Sequence, residues 1–212
     1  MPEIITAGPV ETNAYLVADS ATGDAVLIDA PLDSAQWFAE RITAAQYRPL
    51  ALWLTHSHWD HTGDAAAICS MFGIPALIHP LDAYRLCDPN KHTVFPLPFA
   101  LEPVPIGGYI HHGDVLTVGT LRFEVRHVPG HTEGSITFVE HTARVVFSGD
   151  ALFAGSIGRT DLPGGDYDQL ITSIRQQLLV LPDDYICYPG HMEPTTIGQE
   201  RRTNPFLQST EQ

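Results

Sequence analysis

A chain of 212 residues has room for one large domain with a real core and too little for two. Its 11 Lys and Arg against 25 Asp and Glu give a formal charge of −14, which speaks against nucleic acid, whose phosphates need a basic footprint. No run is long enough to cross a membrane, Met1-Pro2-Glu3-Ile4-Ile5 lacks a signal peptide's basic start, and Cys69, Cys87 and Cys187 form no CxxC pattern, so a reducing, cytoplasmic setting is expected.

Glu3–Ala7, Ala14–Ala18 and Ala25–Asp29 read as short strands, with turn residues such as Thr22-Gly23-Asp24 between them. Asp33–Gln46 reads as an amphipathic helix whose apolar members are Trp37, Phe38 and Ile42. Leu50–Leu54 is predicted as a buried strand, and Ala65–Phe72 as a helix ended by Gly73 and Pro75. Ala76–Ile78 follows as a strand and Leu81–Leu86 as a short helix. Residues 88–112, rich in Pro, Gly and isolated apolar residues, read as irregular: a surface loop with its apolar residues folded inward, or a lid over a site. Val115–Val118, Arg122–Val128, Ser135–Glu140 and Arg144–Phe147 are expected strands. Asp168–Leu181 is an expected helix, with Leu170, Ile171, Ile174, Leu178 and Leu181 at helical spacing. Tyr185–Tyr188 is the last strand and Thr196–Thr203 a closing helix. No composition break suggests a linker, so residues 1–212 are expected to form a single domain. The strands fall into two mostly antiparallel-looking groups, each with helices, which predicts two packed sheets covered by helices outside. Cys69 and Cys187 read as core thiols.

The chemistry concentrates in His56-Ser57-His58-Trp59-Asp60-His61, directly after an apolar strand. Imidazole and carboxylate are the ligands that borderline divalent metals prefer. In extended backbone His56 and His58 point the same way, and Asp60 and His61 follow in a turn that redirects them. Three later strands each lead into a glycine and then a metal-capable residue: Pro129-Gly130-His131, Ser148-Gly149-Asp150 and Pro189-Gly190-His191. The glycine lets the backbone turn sharply without a Cβ clash. The count supports two divalent metal ions. His56, His58 and His131 suit one, Asp60, His61 and His191 the other, and Asp150 has an oxygen for each. Two cations sharing a carboxylate and a hydroxide form a hydrolytic centre. His79, His92, His111, His112, His127 and His141 lack comparable spacing and are left out of this set.

These four motifs together resemble the metallo-β-lactamase superfamily. The resemblance spans nearly the whole chain and implies an α/β fold, a four-layer αββα sandwich of two mixed sheets with outer helices. Within it, residues 156–166 and the tail Arg202-Thr203-Asn204-Pro205-Phe206-Leu207 look most like the glyoxalase II-like hydroxyacylglutathione hydrolases. That implies hydrolysis of a small acyl thioester by a metal-bridging hydroxide, which Asp60 helps orient. Zinc is the first expectation for the metal, with iron or manganese as alternatives. The chain departs from the larger enzymes in lacking a C-terminal helical substrate domain, in having Arg159 where they have lysine, and in Met192-Glu193-Pro194 where they have a tyrosine. Arg159 has two open roles: holding an anionic end of the substrate, or pairing with Asp161 or Asp166 in its own loop. The rival readings are a persulfide dioxygenase with one iron on His56, His131 and Asp150, a lactonase, and a non-catalytic metal-binding protein. The partner expected is a small-molecule thioester, with neither nucleic acid nor membrane. A true β-lactamase is disfavoured, since such enzymes are normally exported and the Asp150–His61 pattern is closer to glyoxalase II.

Overall fold

The computed structural model describes residues 2–208. Six strands make the first sheet: β1 (Glu3–Ala7), β2 (Thr12–Ala18), β3 (Asp24–Ile28), β4 (Arg48–Trp53), β5 (Ala76–Ile78) and β6 (Ile106–Tyr109), in that spatial order. The first three are joined by short turns and pair antiparallel. From β3 to β6 the pairing is parallel. This corrects the antiparallel impression of the sequence. Helices α1 (Ala35–Ala45), between β3 and β4, and α3 (Ala65–Phe72), between β4 and β5, belong to crossover connections, which return the chain to the same end of the sheet.

The second sheet has the order β14 (Thr195–Thr196), β13 (Ile186–Pro189), β10 (Val145–Gly149), β9 (Ile136–Glu140), β8 (Leu121–His127) and β7 (Val115–Val118). It is antiparallel except where β10 meets β13. The connection between those two strands contains the small hairpin β11 (Leu152–Phe153) and β12 (Ser156–Ile157), then helix α6 (Tyr167–Ser173).

Three apolar layers hold this arrangement together. Alternation along β3 shows why: Ala25 and Leu27 face α1 and α3, where Phe38, Ile42 and Ile68 meet them. Val26 and Ile28 face the other sheet and join Tyr15, Trp53, Phe123, Phe138 and Phe147. A third cluster lies outside the second sheet, between Val139, Val146 and Cys187 and the helical residues Leu170, Ile174 and Leu178. Both faces of each sheet are covered, so the central strands read as continuous apolar runs rather than alternating ones. Cys187 is a core thiol as expected, whereas Cys69 is only half-buried and packs against the outer cluster.

Several local expectations change. Asp60 and His61 sit in a one-turn helix, α2 (Trp59–Thr62), rather than a turn. Between β5 and β6 lie α4 (Ala83–Cys87) and the short α5 (Pro89–His92). The segment read as irregular therefore ends in an edge strand, β6, whose IGGY sequence has too few bulky residues to announce itself. The helix expected over Asp168–Leu181 is α-helical only to Ser173 and continues as a wider π-type turn over Ile174–Leu178. The chain closes with α7 (Ile197–Thr203), capped by the Thr196 hydroxyl, which accepts from the Gln199 N–H.

Candidate metal centre

The ends of β4, β8, β10 and β13 lie along one rim, and each delivers its residue to the same place. Glycine serves two different purposes there. Gly130 and Gly149 have positive φ, at +128° and +51°, which side chains rarely adopt. Gly190 is needed for space: a Cβ on it would lie 2.1 Å from Asp150 Oδ1 and 2.6 Å from His61 Cε1.

All seven predicted residues come together. The potential ligand atoms of His56, His58 and His131 lie within 4.8 Å of one another, as do those of Asp60, His61 and His191. His56, His61 and Asp150 form a third such group, connecting the two halves. Asp150 faces both: its Oδ1 is 3.2 Å from His61 Nε2, and its Oδ2 is 3.5 Å from both His131 Nε2 and His191 Nε2.

Hydrogen bonds at the back of the rings set their tautomers. His131 Nδ1 faces the Arg159 carbonyl at 2.8 Å and His191 Nδ1 the Glu11 carbonyl at 3.2 Å, so both nitrogens must donate. His61 Nδ1 lies 2.8 Å from Asp29 Oδ2. Thr55 Oγ1 gives its proton to Asp29 and is left to accept from His56 Nδ1 at 3.1 Å. Four Nε2 lone pairs therefore point inward. Those of His56 and His131 face each other at 3.2 Å, with no proton to share. His61 Nε2 and Asp150 Oδ1, both buried, lack any hydrogen-bond partner among the described residues. Lone pairs and carboxylates converging without a donor are repulsive unless a cation lies among them. The donor set thus fits divalent metal ions.

The electrostatics agree. Burial, then the neighbouring imidazoles, holds His56 well below the ordinary histidine range. The same causes bring His58 down to about 3, burial leading. Burial opposes ionisation of Asp60 and Asp150, but His61 and the other neighbouring imidazoles together outweigh it and lower both, Asp60 to about 2. Burial also opposes a charge on His61, yet Asp150, Asp60 and Asp29 raise it well above the usual value. Three carboxylates around one imidazole call for positive charge at this point, which a cation supplies as well as a proton.

Residues 7–191 match the metallo-beta-lactamase superfamily. The chain belongs to that superfamily. Among relatives within it, hydroxyacylglutathione hydrolase GloC of Haemophilus influenzae is 41% identical, the match covering 98% of each chain. Among solved structures, BLEG-1 B3 metallo-beta-lactamase is 39% identical with a TM-score of 0.90, covering 99% of this chain and all of that one. TTHA1623 in a di-iron-bound form is 37% identical with a TM-score of 0.85, covering 97% of this chain and all of that one. The superfamily is one of metallo-hydrolases with a two-sheet sandwich, in agreement with the layers described above.

Two buried acids that support the superfamily site escaped the sequence reading. Asp29, with φ +60°, takes the Thr55 N–H and hydroxyl, both at 2.8 Å, besides His61. It ends a strand as the ligands do, and that was its only signal. Asp82 accepts from Ser57 N–H and hydroxyl, the Thr132 hydroxyl and Gly134 N–H, at 2.7–2.9 Å. It ties the loop carrying His56 and His58 to the one carrying His131. Thr12, also missed, donates to Asp60 Oδ2 at 3.1 Å. Arg159 stands exposed at the rim in a two-pronged pair with Asp161, at 2.7 and 2.8 Å. That is the loop-pairing role, made with Asp161 rather than Asp166.

Proposed function

We propose that this chain hydrolyses small acyl thioesters, with a hydroxyacylglutathione as the substrate. One observation carries the reading. A cavity of about 290 Å³ opens over the cluster, and outside the seven clustered residues its lining holds Ser57, Thr93, Arg85, Arg159 and apolar side chains. Outside the seven clustered residues, whose lone pairs a cation would take, no side chain of the lining, among the described residues, is an acid suited to protonating a leaving group near neutral pH. An expelled amine or alkoxide needs such a proton, whereas a thiolate leaves readily without one. The GloC relative's name supports the same class.

His56, His58 and His131 would hold one cation, Asp60, His61 and His191 the other, and Asp150 both; zinc is our first candidate, iron the second. Cations there would supply Lewis acidity for the carbonyl and bring a water's pKa towards neutrality. The chain's own contribution is to fix the geometry. Asp29, Thr55 and the Arg159 and Glu11 carbonyls lock the ring orientations, and the Thr12 hydroxyl holds the Asp60 carboxylate. Arg159 gives Nε and Nη2 to Asp161 and keeps Nη1 for a carboxylate of the thiol carrier.

Thiol release from lactoylglutathione, measured alongside oxygen uptake with glutathione persulfide, tests the reaction. Thiol release and two metals per chain support it. Oxygen uptake, no thiol release and a single iron on His56, His131 and Asp150 would replace it with the dioxygenase reading. Asp150→Ala should remove the ligand common to both halves and abolish turnover. Arg159→Ala should raise KM for a glutathione thioester more than for an uncharged one. The second reading, a lactam substrate, rests on the likeness to BLEG-1 and predicts turnover of a chromogenic lactam at a rate matching the thioester.

A further inference from the structure

The rim of the cavity carries an apolar surface that ester-bond cleavage alone does not require. Val94 and Phe95, in the segment between α5 and β6, line the cavity while 48% and 52% exposed. Trp59 lines it beside them, its ring 5.9 Å from that of Phe99. The nearby positive charges do not serve this surface. Arg85 is buried and committed to Asp82, Glu133 and the Pro163 carbonyl. Arg159 faces Asp161. A half-exposed aromatic ring and an aliphatic side chain facing a cavity above a polar floor have the composition of a ligand surface rather than of ordinary solvent-facing loop.

We propose that the side chain of the substrate's hydroxyacyl group is an apolar chain or ring that beds against Trp59, Val94 and Phe95, and that these residues set acyl specificity. The proposal rests on the thioesterase reading. Under that reading the carrier's anion goes to Arg159, on the loop after Asp150, and the acyl group is left to the separate segment that carries Val94 and Phe95. Apolar contact is worth about 0.8 kcal/mol per buried methylene, so two methylenes held there give about a tenfold preference.

The test uses the metal-loaded protein in two measurements. Calorimetric binding of S-methylglutathione and S-hexylglutathione, thioethers that cannot be hydrolysed, should show the hexyl compound at least about tenfold tighter. Hydrolysis of 2-hydroxyhexanoylglutathione should exceed that of lactoylglutathione by a similar factor in kcat/KM. Phe95→Ala, a change at a half-exposed side chain, should reduce both ratios while leaving S-methylglutathione affinity unchanged. Tighter hexyl binding with no turnover of either thioester would sink the thioesterase reading and the acyl role with it, leaving only an apolar binding surface. Turnover of lactoylglutathione with no preference for the apolar group would uphold that reading and overturn this inference alone. Equal loss of methyl and hexyl binding in Phe95→Ala would overturn the specificity role. So would unchanged ratios together with loss of self-association on size exclusion, since the patch would then be a contact between copies.

Discussion

Asp29→Asn tests whether the back of the site controls its front. The substitution keeps shape and tolerates the left-handed backbone at φ +60°. It exchanges one carboxylate oxygen for an amide NH2. In the native arrangement Oδ1 accepts the Thr55 N–H, and Oδ2 accepts both the Thr55 hydroxyl and the His61 Nδ1 proton, all at 2.8 Å. If the amide oxygen stays on the Thr55 N–H, the NH2 meets His61 Nδ1. His61 must then carry its proton on Nε2, the atom that faces Asp150. If the amide turns over, two buried donors confront each other at the Thr55 N–H, which costs about 1–3 kcal/mol. Either outcome weakens the His61 half of the site. Loss of such an orienting partner lowers metal affinity about 10–100-fold, or roughly 1.4–2.7 kcal/mol. Competition against a chelator of known affinity should show one metal retained at wild-type strength and the other weakened within that range, with circular dichroism unchanged. Two metals held with wild-type affinity would refute the tautomer argument.

Three further outcomes follow from other parts of the molecule. Thr12→Val removes the hydroxyl on Asp60 and should lower both turnover and retention of the metal on that half by about tenfold, with Thr12→Ser restoring them; failure of Ser to rescue would point to packing instead. His79 is buried and stacked on His127 with ring centroids 4.2 Å apart, and burial first, then His127 and His111, lowers its pKa to about 4. It is thus held neutral in the fold, so its contribution is intact above its ordinary value of 6.5 and is lost as pH falls from there towards 4. Thermal midpoints of the chelator-treated protein should drop more steeply across that window than those of His79→Gln, and parallel curves would refute this. For the thiols, burial pushes Cys187 up to about 12 and Cys69 up to about 11, while Cys87 is exposed. At pH 8 a disulfide reagent should therefore modify Cys87 first and Cys69 slowly, and Cys187 only after unfolding; rapid reaction of Cys187 would mean that the second sheet opens readily.

The ligand residues were legible because metal chemistry restricts side-chain type so tightly. His56, His58, Asp60 and His61 crowd into six positions, and the three glycine–ligand pairs each follow a predicted strand. Local chemistry of this kind survives in a linear reading, as does the helical spacing of Leu170, Ile174 and Leu178. Parallel pairing of β3 through β6 was not legible, since strand direction is decided by how the crossover helices return the chain. Edge strand β6 was hidden for a related reason: Gly107 sits where a Cβ would lie 2.2 Å from Pro75, so proximity to β5 selected a residue with no strand propensity. Arg159 shows the limit for charged groups. Its sequence allowed an anion or either of two acids, and only the folded loop chose Asp161. Asp29 and Asp82 needed the fold for the same reason. Each partners groups between 25 and 52 residues away in sequence, and a carboxylate carries no local mark of which distant N–H or imidazole will reach it. Sequence alone determined which atoms could bind a metal; the meeting of four strand ends on one rim, with acids behind the rings, decided which way those atoms face.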